Sequence, residues 1–237
     1  MEVESSLDVG AESAGGNGGP GAQRVYLARH GRTSLNASGV LRGHLDPPLD
    51  AVGHQQAKWL AAALTLRGAR LVVASPLRRA VETAQAIAVM AGIELVIDPR
   101  LIDRDYGQWA GQTKAAVEAQ WGSVDEAPGV EPAAEVRARA WGAITDAVQN
   151  ARGEVAVLVS HDAVNRLILA TLGCGLGDPD QIPQETGSFN TLEFRSGHWT
   201  VLSLNELPGP PNRSKIDDGN DRVWSYAAER SLHGHGG

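Results

Sequence analysis

A single cysteine, Cys174, stands among 237 residues, so no disulfide can form within the chain. The sequence reads as one made for a reducing compartment, with that thiol packed as a small hydrophobe. No stretch approaches the roughly eighteen apolar residues of a membrane span, and the acidic N-terminus has neither the basic start nor the apolar run of a secretory signal. Both absences lead us to expect a cytosolic protein. Positive charge is also scarce. The formal net charge is −7, and residues 1–22 hold Glu2, Glu4, Asp8 and Glu12 without one Lys or Arg. No basic face is left to mark a nucleic-acid or anionic-membrane surface, so neither partner is expected. Positive charge that matters for function must be local.

What is present suffices for one core: 42% of residues are hydrophobic and 21% charged, which suits one sizeable domain with ragged ends. Residues 1–22 combine acids with Ser, Gly and Pro and read as a disordered tail. Residues 23–207 read as the domain and 208–237 as a C-terminal tail, where Arg222 to Arg230 allow a weak helical turn. Within the domain, Arg24 to Ala28 begins a strand that runs into Arg29 and His30. A helix follows Gly53 and stops at Gly68. ARLVVAS is a strand, Pro76 opens an Ala-rich helix, and Ile93 to Ile97 is a strand again. That alternation predicts an α/β layer structure with a largely parallel sheet. Residues 103–150 interrupt it with two helical stretches around Pro128 and Gly129, a helical excursion over one end of the sheet. Glu154 to Ser160 returns as a buried strand and Ala163 to Leu172 as a helix. Thr191 to Arg195 and Trp199 to Leu204 form an edge hairpin across Ser196 and Gly197.

The strongest site candidates sit where strands end: Arg29 and His30 after the first, Ser160 and His161 after the Glu154 strand. Carboxyl ends of strands are where ligands bind in open α/β sheets. A phosphate ester needs several donors for its oxygens, and the planar fork of Arg fits them. Arg29, Arg32 and Asn36 supply such donors, and Gly31 lets the backbone turn sharply behind His30. A neutral imidazole attacking phosphorus amid cationic donors requires no metal and no cofactor. His44 and Asp46 near His54 lack the fourth ligand and tight spacing of a zinc site, and His44 reads as a loop residue at the pocket rim.

The run RHGRTSLN resembles the RHG-x-T-x-x-N signature of the histidine phosphatase superfamily, also called the phosphoglycerate mutase family. GHLDPPLDAVGHQQA, SPLRRAVETAQAI, RLIDRDYGQWAG, PGVEP and LVSHDAVNRLIL resemble its further motifs in family order, from residue 24 to 205. The resemblance implies a three-layer α/β/α sandwich with a mostly parallel central sheet. It implies His30 as the nucleophile that becomes phosphohistidine, with Arg29, Arg78 and His161 completing the phosphate pocket and Arg32 and Asn36 supplementing it. A homodimer through a sheet edge or a helix is a further expectation from the family.

The leaving alkoxide needs an acid, and the same carboxylate can then activate water. The family places Glu there; this sequence has Asp103, one bond shorter. Asp162 competes, because His-Asp at the second histidine resembles the branch with acid phosphatases and phytases, where that Asp donates; otherwise it caps the helix at Ala163. We favour Asp103, since its surroundings follow the mutase-like branch. Trp109 falls on the family's G-x-W motif behind the donor loop, and Trp59 and Trp141 read as helix-face core. Trp121 reads equally well as packing or as pocket lining. Three activities stay in view. Arg104, Tyr106 and Lys114 match a mutase segment and keep a phosphoglycerate mutase-type phosphotransferase open. Loss of the donor would leave a silent phosphate-binding scaffold. Hydrolysis of small phosphomonoesters, in the manner of an acid phosphatase, is the favoured reading. From Lys114 to Arg137 no Lys or Arg intervenes while Glu118, Asp125, Glu126, Glu131 and Glu135 do, and a lid for a bisphosphorylated ligand would bring positive charge.

Overall fold

A computed structural model describes residues 21–36 and 38–210. The expected tails, and the helical turn at Arg222 to Arg230, fall almost wholly outside those residues. Six strands form one sheet in the order β3-β2-β4-β1-β5-β6. They are β1 (Ala22–Arg29), β2 (Ala69–Ala74), β3 (Leu95–Ile97), β4 (Val155–Ser160), β5 (Phe189–Arg195) and β6 (His198–Glu206). The pairs β1/β4, β2/β4 and β2/β3 are parallel, while β1/β5 and β5/β6 are antiparallel. The chain steps outward from β1 to β3 through α1 (Ala51–Leu66) and α2 (Arg78–Ala91). It returns to β4 through α3 (Lys114–Trp121) and α4 (Ala133–Ala151), then leaves for β5 through α5 (Asp162–Thr171).

Strand alternation sorts the core into two halves. Val25, Leu27, Val73, Ala156 and Leu158 face α4 and α5, where Val136, Ile144, Ile168 and Leu169 meet them. Their neighbours Tyr26, Ala28, Val72, Ala74, Val157 and Val159 face α1 and α2, against Leu60, Leu64, Ala84 and Ile87. The result is a three-layer α/β/α sandwich whose middle strands are apolar on both faces, as burial on both sides requires. The excursion carries its own small core of Leu41, Trp109, Val117, Val124 and Ala127. Trp109 also donates through Nε1 to the Pro128 carbonyl at 2.9 Å, and Trp121 meets its ring edge to face at 5.9 Å. Among the described residues no helix is long and apolar enough to cross a membrane.

Local chemistry fixes the ends of these elements. Asp50 caps α1 by accepting from the Gly53 N–H at 2.8 Å, and Gly68 follows its end with φ +82°. Pro76 lies two residues before α2, not inside it; Leu77 is the cap residue. The β5–β6 hairpin turns on Ser196 and Gly197 with φ +50° and +80°, the doubly positive pair of a type I′ turn. Gly31 serves a purpose other than a sharp turn. A Cβ there would stand 2.5 Å from the Gly53 carbonyl oxygen, and one on Gly53 would stand 2.0 Å from that of Arg32. Two bare backbones therefore hold the loop after β1 against the first turn of α1.

Gly53→Ala is expected to lower unfolding free energy by about 1–3 kcal/mol, the usual cost of forced overpacking. Urea titration with an unchanged midpoint would show that this contact is not tight in solution.

Candidate active site

Parallel pairing sets the ends of β1, β2 and β4 side by side. Arg29 registers with Ser160, and Ala74 with Val159, so His30, Ser75 and His161 leave the sheet within neighbouring-strand distance, roughly 5 Å apart. The ring centroids of His30 and His161 are 5.1 Å apart, and both side chains are fully buried. His30 donates from Nδ1 to the Gly31 carbonyl at 2.7 Å. Its Nε2 therefore keeps its lone pair, which receives the Arg79 Nε–H at 3.3 Å. Burial first, then the charges of Arg79 and Arg29, hold this imidazole well below the usual histidine range. His30 is a neutral ring with a bare nitrogen facing guanidinium groups, which is what an attacking nitrogen requires.

The loop behind His30 is pinned by residues from the other motifs. The Gly31 N–H donates to Thr83 Oγ1 at 3.0 Å and the Arg32 N–H to Gln56 Oε1 at 2.8 Å. His161 shares a hydrogen bond between Nε2 and Ser75 Oγ at 2.7 Å. Its Nδ1 lies 3.7 Å from Asp103 Oδ2.

The arginine beside His30 is Arg79, and this corrects the expectation of Arg78. Arg78 points to solvent and pairs with Glu82 at 2.6 Å. Arg79 is fully buried; it donates to the carbonyls of Leu45 at 2.6 Å and Gly43 at 3.0 Å, and to Asp103 Oδ2 at 2.9 Å. Consecutive helix residues point about 100° apart, since a turn takes 3.6 residues, so a one-residue slip exchanges the pocket for the surface. The spacing S-x-L-x-R from Ser75 reaches Arg79, and Thr83, four residues on, shares its buried face.

Arg29 lies where expected, donating to the Gln184 carbonyl and lying 3.3 Å from Asp162. A third guanidinium, unanticipated from the sequence, belongs to Arg42 and bonds the other Asp162 oxygen at 2.7 Å. Its one clue was a basic residue directly before the Gly43 motif. Arg32 is held elsewhere, on Asp50 at 2.8 Å. Asn36 folds back to accept from the Thr33 N–H and hydroxyl at 2.9 and 2.8 Å. Neither makes a hydrogen bond to the His30 cluster. His44, Asp46 and His54 do not converge. His44 donates to the Asp103 carbonyl, Asp46 accepts from the Arg78 N–H, and His54 lies 3.9 Å from Glu82.

The two aspartates have opposite electrostatics. Burial, then the neighbouring charge of Asp162, raises the Asp103 carboxyl above the ordinary range, although Arg79 and Arg42 pull the other way. Asp162 feels Arg29 and Arg42 strongly enough to overcome its burial, and it lies well below that range. It begins α5 but caps no backbone N–H. Environments that push two carboxyls apart assign the protonated role to one of them, here Asp103. Its loop is braced by Arg139, which donates to the carbonyls of Arg100, Ile102 and Asp103 at 2.8, 2.6 and 3.1 Å and grips both oxygens of Glu131. Buried nitrogens without a hydrogen-bond partner include the donors Arg29 Nε and Arg42 Nε, and His161 Nδ1. Unmet donors around a bare imidazole nitrogen describe a receptacle for an oxyanion. Beside the donor loop an open cleft of about 380 Å³ is lined by His44, Ile102, Asp105, Val130, Glu131 and Pro132.

The pattern of the Histidine phosphatase superfamily (branch 1) matches residues 25–207, and the chain belongs to that family. It is 30% identical over 187 residues to "Probable phosphoglycerate mutase GpmB" of Enterobacter sp. (strain 638), covering 74% of this chain and 87% of that protein. To phosphoserine phosphatase 1 of Hydrogenobacter thermophilus it is 28% identical over 193 residues, covering 77% and 92%. The solved structure of a mycobacterial glucosyl-3-phosphoglycerate phosphatase with VO3 superposes with a TM-score of 0.67 at 27% identity, covering 77% of this chain and 98% of that one.

Arg79→Met should lower kcat/KM for a phosphomonoester by roughly two to three orders of magnitude, the scale of a lost transition-state donor. Arg78→Met should stay within about three-fold, in line with an exposed ion pair. Equal losses in steady-state assays of the two variants would contradict the assignment.

Proposed function

We propose that this histidine phosphatase hydrolyses small phosphomonoesters through a phosphohistidine on His30, with Asp103 as acid and then base. The observation that carries the reading is the electrostatic pattern: His30, whose Nδ1–H is given to Gly31 and whose pKa burial lowers, is joined through Arg79 to the Asp103 carboxyl, whose pKa burial raises. His30 Nε2 forms a bond to phosphorus as the ester P–O bond breaks, and the departing alkoxide takes the Asp103 proton. The Arg79 N–H that meets Nε2 in the empty pocket would turn to a phosphoryl oxygen, joined by Arg29, Arg42 and His161. The Asp103 carboxylate then takes a proton from water, whose oxygen attacks phosphorus. The N–P bond breaks, and inorganic phosphate and neutral His30 result.

Release to water is favoured over return to a sugar phosphate by what surrounds the pocket. The cations that keep the mutase reading open are already engaged: Arg104 pairs with Asp125 at 2.5 Å, and Lys114 with Asp180 at 2.5 Å. The acidic excursion disfavours leaving groups that carry a second phosphate. Phosphatases named for phosphoserine and for glucosyl-3-phosphoglycerate among the relatives support a small phosphorylated metabolite as the substrate class. The lone, half-buried Cys174 supports a reducing, cytosolic setting.

Phosphate release from p-nitrophenyl phosphate and a panel of natural monoesters, without added metal, tests this. His30→Ala should abolish turnover. Asp103→Asn should lose roughly two to four orders of magnitude on an alkyl ester and much less on the nitrophenyl ester, whose leaving group needs no proton. Interconversion of phosphoglycerates outrunning phosphate release would establish the mutase instead.

A pH–rate profile provides a second check. His30 attacks when deprotonated, so its lowered pKa places the acid limb below the ordinary imidazole value. Asp103 donates when protonated, so its raised pKa places the alkaline limb above the ordinary carboxyl value. Activity should therefore decline as pH rises past the Asp103 limb. A profile that rises steadily through neutral pH to a plateau in alkali would contradict both assignments.

A further inference from the structure

Asp162 lies in the first turn of α5 without capping a helix N–H, and its carboxylate stands between Arg29 at 3.3 Å and Arg42 at 2.7 Å. It is also the most open member of the cluster. Its side chain is 22% exposed, against 9% for Arg29 and 11% for Arg42. His30, Arg79, His161 and Asp103 are all within 1% of complete burial. An anion that binds Arg29 and Arg42 therefore competes with this carboxylate, which already holds both guanidinium groups. Two carboxylate oxygens present to Arg the same face as two phosphoryl oxygens. The third phosphoryl oxygen is what a carboxylate lacks, and Arg29 Nε and Arg42 Nε are left without an acceptor.

We propose that Asp162 is a resident counterion of the Arg29–Arg42 pair, which the incoming phosphoryl group must displace. It thereby sets how tightly the pocket holds oxyanions, substrate and product phosphate alike. The inference rests on reading the pocket as a phosphoryl site, but not on turnover. The charge count gives it a purpose. Arg29 and Arg42 share the single carboxylate of Asp162, so this pair keeps unmatched positive charge for a phosphoryl anion. Without the Asp162 charge that surplus would grow, and inorganic phosphate would be slower to leave.

The test is calorimetric binding of inorganic phosphate to wild type, Asp162→Asn and Asp162→Ser, each first checked for an unchanged thermal midpoint. Removing one negative charge some 4–6 Å from the bound anion should tighten Kd by roughly a hundred-fold or more at an effective dielectric near 20. KM for p-nitrophenyl phosphate should fall in step. Phosphate binding that is unchanged or weaker in both variants would mean that the carboxylate organises the arginines and does not compete for them, overturning the proposal. A selective loss of at least a hundred-fold in kcat on alkyl esters, with the nitrophenyl ester spared, would make Asp162 the proton donor and overturn it equally. Tighter phosphate in a protein that hydrolyses no ester would defeat the hydrolase reading and leave the counterion standing.

Discussion

Three guanidinium groups, from Arg29, Arg42 and Arg79, are drawn out of water to surround one imidazole, and much of the remaining architecture serves that arrangement. Removing a charge from water costs several kcal/mol even after relaxation. Backbone carbonyls of Gly43, Leu45 and Gln184 and the Asp103 carboxyl accept hydrogen bonds from these guanidinium groups, and the Asp162 carboxylate supplies a counter-charge. The carbonyls come from loops that must be close to rigid, which explains the interlocked Gly31 and Gly53 and the pinning of that loop by Gln56 and Thr83. The parallel strands bring the partners to one edge; the loops then hold them to hydrogen-bond tolerance.

The same burial divides the labour between two aspartates of one residue type. Asp103 sits in the dry interior next to another negative charge, and both effects favour its neutral form. Asp162 stands nearer the mouth between two cations, and is held ionised. Burial also keeps His30 neutral, so nucleophile and acid are each poised by their surroundings with no change in covalent chemistry.

Much of this was legible in the sequence, and the failures are instructive. Strand–helix alternation, the doubly apolar strands and the hairpin turn follow from period and turn chemistry, and the structure reproduces them. His30, His161 and Asp103 lie at strand ends or in motifs with no freedom of register, and they meet in one pocket. Arg78 and Arg79 are adjacent at the start of a helix, where composition is blind and only rotation about the axis decides. The buried sequence Ala80, Thr83, Ala84 and Ile87 identifies the inner face and, with it, Arg79. Arg42 was harder to see, because a loop arginine reveals its partner only once α5 places Asp162 opposite it. Arg32 and Asn36 satisfy the motif yet are taken up by Asp50 and Thr33, a competition between neighbours that no spacing rule records.

The Arg139 brace ties distant parts of the chain into one mechanical unit. A single side chain of α4 grips three consecutive-turn carbonyls leading to Asp103, while Glu131 holds its guanidinium from the far side and also accepts from the Asp105 N–H. The Asp103 loop is thus suspended from a helix that lies against the opposite face of the sheet from α1 and α2. Variation that repacks α4 would be transmitted to the Asp103 carboxyl without touching the side chains around His30.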